Sequence, residues 1–328
     1  MSILITGGAG YIGSHTLREL ARTRNDIVVY DNLSKGHRQA IEGFRLVKGD
    51  LHDSETLSKT IDDFGVSAVI HFAAFIEVGE SMTDPQKYYR NNVGGTLNLL
   101  SVIKQKSVGS FIFSSSAAVY GEPETVPIVE QAALNPTSAY GRTKLIIEQI
   151  LADYTRAYGL RYVALRYFNV AGADSDGDIG EHHTPETHLI PLIIKSLLGQ
   201  RDKFRLFGSD YPTEDGTCIR DYVHVTDLAR AHTRALQWLE EGGDSQIYNL
   251  GNGSGFSNRQ IIETVQRVSG KSLDVEPADR RPGDPAVLVA SSEKIKKELG
   301  WHPQFDSLDT IVETAWRWHT LHPRGFED

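Results

Sequence analysis

Three side chains in two short segments have the types and spacing needed to move a proton. Ser116 ends the run Ser114-Ser115-Ser116, and Tyr140 lies four residues before Lys144. Residues four apart share one face of a helix, so the Lys144 ammonium can lower the pKa of the Tyr140 phenol from its usual value near 10. A shift of roughly three units corresponds to roughly 4 kcal/mol. The pair therefore predicts a phenol that accepts a proton, with Ser116 holding an oxygen of the substrate by a hydrogen bond.

The hydrophobic pattern indicates the frame that must position these residues. Strands without polar alternation are buried on both faces, and alternating strands and helices imply a parallel, doubly wound α/β sheet. In the first half we predict strands at Ile3–Thr6, Ile27–Tyr30, Arg45–Val47, Val69–Phe72, Phe111–Ser114 and Tyr162–Arg166, with helices at Tyr11–Arg22, Ser54–Phe64, Pro85–Lys106 and Ser138–Tyr158.

After Arg166 the predicted helices and strands become shorter, and the segment Gly172–Pro185 is rich in Gly, Asp and Pro. We predict strands near Arg205–Phe207, Tyr222–Val225 and Ile247–Leu250, and helices at Leu189–Leu198, Asp227–Glu240, Asn258–Val268 and Leu308–Leu321. Residues 1–166 are expected to form a Rossmann-like dinucleotide-binding domain. Residues 167–328 are expected to form mainly a smaller α/β substrate domain, with some segments returning to the sheet and the site in the cleft between them.

A glycine-rich segment between the first strand and the first helix predicts a dinucleotide site. Gly7, Gly10 and Gly13 permit a tight turn and close approach of the backbone to a ligand, and the helix N-terminus favours a pyrophosphate. Asp31 ends the second strand, 18 residues after Gly13. A carboxylate there accepts hydrogen bonds from the ribose hydroxyls and repels a 2′-phosphate. The pattern therefore favours NAD over NADP.

Bulk composition restricts the class of protein. The chain has 328 residues, 40% hydrophobic and 23% charged, with a formal net charge of −9. This balance is ordinary for a globular protein and argues against a nucleic-acid surface. Neither a signal pattern nor a bilayer-spanning run is visible, so we expect a cytoplasmic protein without membrane contact. The single cysteine, Cys218, excludes an intramolecular disulfide and a cysteine metal cage.

No metal site is predicted from the sequence. His182 and His183 lack nearby partners of metal-site spacing and are interpreted as loop residues. Asp174, Asp176 and Asp178 resemble the start of a calcium loop, but Ile179 stands at the glycine position and Pro185 at the closing glutamate position. That segment is interpreted as a solvated acidic turn.

Taken in order, these motifs resemble the extended short-chain dehydrogenases/reductases, and more narrowly the UDP-glucose (UDP-galactose) 4-epimerases. The resemblance runs over nearly the whole length. It includes Gly7–His15, Asp31–Leu33, Leu165–Asn169, Tyr211–Thr217, Ile219–Val225 and Arg280–Asp284, of which the last segments are specific to the sugar-nucleotide branch.

The resemblance implies a set of site residues. Ser116, Tyr140 and Lys144 are the expected catalytic residues. The expected NAD contacts are Gly7, Gly10, Tyr11, Ile12, Gly13, Asp31, Asn32, Asp50, Leu51, Phe72, Ala73, Ala74, Asn91, Tyr140, Lys144 and Phe168. The expected contacts to the UDP-sugar are Ser116, Asn169, His188, Leu189, Phe207, Arg220, Arg281, Asp284 and Leu288. Arginine forks suit pyrophosphate oxygens, although Arg220 and Arg281 would also suit a domain-closing ion pair with an acid such as Asp221.

The activity implied is inversion of C4 of a UDP-hexose through a transient 4-keto intermediate, with tightly retained NAD. Ile76 with Glu77, Ala118 and Leu288 depart from the better-known glucose/galactose members. Leu288 occupies a position that often carries a bulky tyrosine and limits sugar size. We therefore expect action on UDP-GlcNAc/UDP-GalNAc as well as on UDP-glucose/UDP-galactose, as in the dual-specificity branch, although Leu288 also fits simple packing in the pocket wall.

Three other functions remain open from the residues. One is another NAD-dependent enzyme on sugar nucleotides, such as a net dehydrogenase or reductase, which would exchange its cofactor. A sugar-nucleotide 4,6-dehydratase needs an acid and a base after the serine strand, where this chain has Ala117-Ala118. An NAD-sensing binding protein would not need Ser116, Tyr140 and Lys144 together. By resemblance the partner is a second copy of the chain, with the helices Pro85–Lys106 and Ser138–Tyr158 in the seam. The second helix carries an apolar stripe of Ile146, Ile147, Ile150 and Tyr154, which fits either the core of the protein or a dimer face.

Overall fold

The computed structural model describes residues 2–201, 203–280 and 284–327. A parallel sheet of seven strands is its centre, in the order β10-β6-β5-β4-β1-β2-β3. The strands are β1 (Ser2–Thr6), β2 (Ile27–Asp31), β3 (Leu46–Lys48), β4 (Val66–His71), β5 (Ser110–Ser116), β6 (Arg161–Tyr167) and β10 (Gln246–Leu250). This is the doubly wound order in which the chain crosses from one side of β1 to the other. The predicted α/β fold class is confirmed.

Helices cover both faces of this sheet because the strands are apolar on both sides. They are α1 (Tyr11–Ala21), α2 (Ser54–Phe64), α3 (Val78–Thr83), α4 (Pro85–Tyr88), α5 (Gly95–Gln105), α6 (Ala139–Tyr158) and α8 (Val225–Glu240), with single 3-10 turns at Arg38–Ile41 and Ala117–Val119. One core cluster unites α1 and α8 under one face, and another unites α2, α5 and α6 under the other. Together they fix the carboxyl ends of the strands, where the chemistry is expected.

Most of the remaining elements form a smaller layer, whereas the tenth helix, Glu293–Leu299, packs on β10 and α8 of the main sheet. The remaining elements are β7 (Asn169–Ala171), α7 (Leu189–Leu197), β8 (Phe204–Phe207), β9 (Ile219–His224), β11 (Gly255–Ser257), α9 (Asn258–Ser269), β12 (Val275–Ala278), β13 (Val287–Leu288), α10 (Glu293–Leu299) and α11 (Leu308–Leu321). Strand β9 pairs with β7, β11 and β13, and β8 pairs with β12. A third core cluster, with Ile190, Tyr222 and Ile311, packs α7, α9 and α11 on this layer.

Most predicted elements are observed, with boundaries moved by one to three residues. Ser54–Phe64 and Leu308–Leu321 have the predicted bounds. The predicted helix Pro85–Lys106 differs, because Tyr89–Gly94 between α4 and α5 has π-helical geometry. The side chain of Asn92 there accepts from the backbone N–H of Phe75 at 2.9 Å and donates to its carbonyl oxygen at 3.0 Å. This wider turn ties the helix to the exit of β4, as π-bulges near functional sites often do.

Within the described ranges, we find no helix that combines the length and apolar character needed to cross a membrane.

Candidate functional site

A large cavity lies at the carboxyl ends of β1, β2, β4, β5 and β6, with a volume of about 440 Å³. Every residue predicted to contact the cofactor lines it except Lys144, which is buried behind the wall. Of the predicted substrate contacts, Ser116, Asn169, His188, Arg220 and Leu288 line the same cavity. Leu189, Phe207 and Asp284 are outside the lining, and Arg281 lies outside the described residues.

The turn after β1 leaves no room for a side chain at Gly7 or Gly13. Gly7 has a φ of +71°, and a Cβ on it would lie 2.5 Å from the backbone nitrogen of Ala73. A Cβ on Gly13 would collide with the carbonyl oxygen of Gly7. Gly10 begins α1, and no side chain caps this helix terminus. The first-turn amides of α1 therefore face the cavity in the arrangement that binds a phosphate.

Two carboxylates lie at the ends of β2 and β3, beside this turn. Asp31 is buried, and its two oxygens accept from the backbone N–H of Ala9 at 2.9 Å and of Leu33 at 2.8 Å. Each oxygen keeps a lone pair for a ligand hydroxyl. Asp50 accepts from the side-chain amide of Asn32 at 2.8 Å. The glycine turn, the uncapped helix and Asp31 fit a dinucleotide with a free 2′-hydroxyl, which NAD has.

The predicted catalytic serine and tyrosine both lie in the lining of the cavity. Ser116 is the last residue of β5, and Tyr140 lies in the first turn of α6. Ser116 acts on the pKa of Tyr140 as a hydrogen-bonding neighbour, and its Oγ accepts from the backbone N–H of Ala118 at 3.1 Å. The backbone N–H of Tyr140 donates to Oγ of Ser81 in α3, at 3.1 Å. Strand β5, helix α6 and the unpredicted helix α3 thus fix one phenol.

The prediction that the pKa of Tyr140 is lowered is wrong, because the protein around this phenol raises its pKa. Burial raises the pKa of Tyr140 to about 12; the hydrogen bond from Ser116 opposes this shift, and the charge of Glu77 adds to it. Lys144 donates from Nζ to the carbonyl oxygen of Ser114 at 2.7 Å, and its Nζ lies 5.7 Å from the centre of the Tyr140 ring. Burial lowers the pKa of Lys144 to about 7, against the charge of Glu148. Desolvation therefore outweighs the neighbouring cation.

The substrate side of the cavity carries a fixed guanidinium. Arg220, in β9, forms an ion pair with Asp284 and donates to the carbonyl oxygen of Ile219 at 2.8 Å. Asp221 is not its partner, because Asp221 accepts from the backbone N–H groups of Asn252, Gly253 and Ala290 at 2.7 to 3.0 Å. Both Arg220 and Leu288 line the cavity, and they are opposite each other in the pairing of β9 with β13.

His183 lies in a loop as predicted, but it has carboxylate partners that its sequence spacing did not indicate. Its Nδ1 lies 3.2 Å from a carboxylate oxygen of Glu181 and 3.7 Å from one of Glu186. His188 contacts the same two carboxylates at 2.8 and 3.0 Å. The loop folds back on itself, so residues that no standard metal motif connects meet at one point. His182 lies apart from them, stacked on His37 with ring centres 4.5 Å apart.

Several residues that line the cavity were not predicted as site residues: Tyr30, Ser34, Lys35, Gly36, Gly49, Ile76, Glu77, Val78, Ala117, Ala118, Tyr167, Val170, Glu181 and His183. Many follow directly after the carboxyl end of a parallel strand, and that position is itself a signal for ligand contact. Lys35 and Glu77 form an ion pair of 3.0 Å. For Glu181 and His183, the alternation of acids and histidines between 181 and 188 was the available signal.

Comparison with known proteins places this geometry in a family. Residues 3–251 match the model of the NAD dependent epimerase/dehydratase family. The chain is 51% identical over 326 residues to a UDP-glucose 4-epimerase of Halalkalibacterium halodurans, which covers 99% of this chain and 98% of that protein.

Two solved structures extend the likeness to the fold. The UDP-glucose 4-epimerase of Brucella ovis in complex with NAD is 52% identical, with a TM-score of 0.94, over 96% of this chain and 97% of that one. The UDP-Glc/GlcNAc 4-epimerase of Campylobacter jejuni is 45% identical, with a TM-score of 0.86, over 98% and 99% of the two chains. With the glycine turn, Asp31 and the Ser116–Tyr140 pair in place, this chain belongs to the NAD-dependent epimerase/dehydratase family.

Proposed function

We propose that this chain is an isomerase that uses NAD to invert C4 of UDP-hexoses, interconverting UDP-glucose and UDP-galactose. The observation that carries the proposal is that the Tyr140 hydroxyl and Ser116 line the same cavity as the glycine turn, near enough for Ser116 to act on the pKa of Tyr140 as a hydrogen-bonding neighbour. A phenol and a hydroxyl placed in this way can exchange a proton with a sugar hydroxyl. Relatives that are 49% and 51% identical to this chain are named UDP-glucose 4-epimerases.

In the proposed mechanism Tyr140 takes the proton of the sugar 4-hydroxyl, with Ser116 bridging the two oxygens. The glycine turn and Asp31 would hold NAD, and this cofactor would supply the hydride chemistry at C4. Loss of the proton and the hydride leaves a 4-ketone, which turns about its bond to the pyrophosphate. Tyr140 then gives the proton back to the new 4-hydroxyl. Protons and electrons balance over the cycle, so no external oxidant or reductant is consumed.

The cavity would bind the UDP part of such a substrate more firmly than the hexose part. Arg220, held by Asp284, presents its planar fork to the pyrophosphate. Asn169, His188, Leu189, Phe207 and Arg281 are proposed to hold the rest of the UDP part. The hexose would lie near Ser116, Ala118 and Leu288, which offer few hydrogen-bonding side chains. A firm hold on UDP and a loose hold on the sugar allow the ketone to rotate.

The proposed substrate range includes UDP-GlcNAc and UDP-GalNAc. Leu288 lines the cavity without the ring and hydroxyl of a tyrosine, so room remains for a 2-acetamido group. The Campylobacter jejuni relative carries both sugars in its name. Ala118, with its small side chain, lines the same region.

We also propose a division into residues 1–166 for NAD and 167–328 mainly for the UDP-sugar, a cytoplasmic location and a homodimer. Helices α5 and α6 would form the seam, since Leu97 and Tyr158 on them are 40% and 54% exposed. Large apolar side chains left exposed on neighbouring helices are typical of an interface.

The experiment is incubation of the purified chain with UDP-galactose and no added cofactor, followed by separation of the sugar nucleotides. We expect UDP-glucose to form, with NAD still bound to the protein. Elimination of water with a 4-keto-6-deoxy product would instead indicate a dehydratase. Binding of NAD without any turnover would indicate an NAD sensor.

A further inference from the structure

Four side chains with metal-binding atoms meet on the loop between β7 and α7. They are Glu181, His183, Glu186 and His188, and one ligand atom of each lies within 4.8 Å of the other three. The four imidazole-to-carboxylate distances run from 2.8 to 3.7 Å. Ligands around a four-coordinate zinc, with bonds of about 2.0 to 2.2 Å, are about 3.4 Å apart. The cluster already has nearly this spacing.

Two atoms in the cluster have no hydrogen-bond donor or acceptor to satisfy them. The Glu186 side chain is 3% exposed, and its Oε1 accepts from the backbone N–H groups of Thr187 at 2.7 Å and His188 at 2.9 Å. Its other oxygen, Oε2, is buried without a hydrogen bond, as is Nδ1 of His183. A buried polar atom left unpaired is costly and calls for a partner. The two atoms lie 3.7 Å from each other, and Nδ1 of His183 lies 3.2 Å from a carboxylate oxygen of Glu181.

The surroundings hold these ligands in place. Glu181 is 4% exposed, and its carbonyl oxygen accepts from the indole N–H of Trp318 at 3.1 Å. The Tyr11 ring meets the His183 ring edge to face, with centres 6.3 Å apart, and its hydroxyl donates to the carbonyl oxygen of Gly172 at 2.6 Å. A rigid outer shell of this kind is what metal ligands require. The His188 side chain is 40% exposed and lines the cavity, which gives an ion a path of entry.

The ligand chemistry selects the class of ion. Two imidazole nitrogens and two carboxylate oxygens suit zinc and other divalent first-row transition metals, whereas calcium and magnesium prefer oxygen ligands alone. Two carboxylates also neutralise a divalent cation. We propose that Glu181, His183, Glu186 and His188 bind one divalent transition-metal ion, with zinc preferred, which fastens the 172–188 loop against α1 and α11. This site shares His188 with the proposed UDP contacts, but its readout, the metal content of the protein, is separate from turnover.

The direct test measures metal in the full-length protein. The chain is produced in zinc-supplemented medium, freed of loose ions by gel filtration and analysed by elemental mass spectrometry. We expect about one zinc per chain, as for a folded four-ligand site. Removal of the metal with a chelator should lower the melting temperature, and added Zn²⁺ should restore it, because an ion that binds only the folded state stabilises it.

Matched variants locate the ion. Glu186→Gln and His183→Gln each remove one ligand and should weaken zinc binding by roughly 100-fold or more, beyond the usual cost of losing an outer-shell partner. His182→Gln, a histidine on the same loop but outside the cluster, should keep the full metal content. Circular dichroism establishes that each variant is folded. Cobalt(II) added to the metal-free wild-type protein should give the strong visible absorption of a four-coordinate site, which provides a readout even where a variant does not fold.

Two results would overturn the proposal. One is a folded wild-type protein that holds less than about 0.1 equivalent of zinc as purified and takes up none on dialysis against micromolar Zn²⁺; the four side chains would then be two imidazolium–carboxylate pairs. The other is zinc binding that stays unchanged in both cluster variants, which would place the ion elsewhere.

Discussion

The Nζ atom of Lys144 lies 2.7 Å from the carbonyl oxygen of Ser114, and this contact points the ammonium along β5 instead of at the phenol one turn earlier in α6. Lys144 is 3% exposed, so this contact holds its Nζ in one place in the wall of the cavity. When Lys144 is charged, it can therefore act on Tyr140 only electrostatically, through the 5.7 Å between Nζ and the ring centre. A cation at this distance favours the charged form of the phenol without bonding to it.

Replacement of Lys144 by Met tests that influence. Burial raises the pKa of Tyr140 to about 12, and loss of a nearby cation raises it further. At any given pH a smaller fraction of Tyr140 is then deprotonated. We expect slower turnover of UDP-galactose near neutral pH and a rising limb of the pH–rate profile that moves to higher pH.

The same substitution at the exposed Lys59 serves as the control and should leave the profile in place. An unchanged profile in Lys144→Met would contradict an electrostatic role for Lys144 and leave it a purely structural residue.

The glycine turn gives a second prediction, for cofactor retention. Gly7→Ala places a methyl group 2.5 Å from the backbone of Ala73 at a φ of +71°. We expect loss of most bound NAD after gel filtration, together with a lower melting temperature, because the turn must open. Gly43→Ala is a matched control: its φ is +83°, but nothing lies within 4 Å of the added methyl group. Gly43→Ala should cost about 1 to 2 kcal/mol of strain and keep its NAD. Equal NAD content in the two variants would show that the turn does not carry the cofactor.

A third prediction concerns the size of the sugar. Leu288→Tyr fills the cavity wall opposite Arg220 with a ring and a hydroxyl. We expect the ratio of UDP-GlcNAc to UDP-glucose activity to fall, since a steric pocket discriminates by roughly 10- to 200-fold for small groups. Activity on UDP-glucose provides the internal control for folding. An unchanged ratio would mean that Leu288 is ordinary wall packing.

Acid stability gives a fourth prediction, from His71. This buried histidine lies between Thr6 and Thr96, at 2.7 and 2.9 Å. The Thr96 hydroxyl donates to the carbonyl oxygen of Asn92, so Nε2 of His71 must donate to Thr96, and Nδ1 accepts from Thr6. Burial lowers the pKa of His71 to about 3, with the charge of Lys144 acting in the same direction.

Because the folded pKa is below the unfolded value near 6.5, the unfolded chain binds more protons in this range. Stability is present above pH 6.5 and lost as the pH falls toward 3. His71 alone should lower the free energy of unfolding by ~2 kcal/mol between pH 6.5 and 5. Urea unfolding of the wild-type protein and His71→Gln across this range measures the effect. Identical pH slopes would contradict the assignment of His71 as a neutral buried group.

Much of the frame follows from local patterns. The apolar strands, the glycine turn and Asp31 were predicted because each depends on residues close together in the chain. Helix α3 was missed because it has six residues, includes Gly79 and is anchored by Ser81 to Tyr140, far along the chain. Strand β13 has two residues and exists only through its pairing with β9. Neither element has a periodicity that a sequence pattern could detect.

The electrostatics of the site were the harder part. Spacing placed Lys144 beside Tyr140, but only the packing reveals that desolvation dominates the pKa of the phenol. The meeting of Glu181, His183, Glu186 and His188 requires the loop to turn twice, and Trp318, more than a hundred residues later, supports that path. Rules based on the spacing of nearby residues cannot detect contacts between residues so far apart in the sequence.

The central claim is that Tyr140 moves the proton of the sugar hydroxyl. The most direct measurement is turnover of UDP-galactose by Tyr140→Phe, compared with Tyr158→Phe at the exposed end of the same helix. The account predicts a loss of at least about 100-fold for Tyr140→Phe, the contribution of a general base, with NAD still bound and full activity in Tyr158→Phe. Turnover by Tyr140→Phe close to that of the wild-type protein would contradict it.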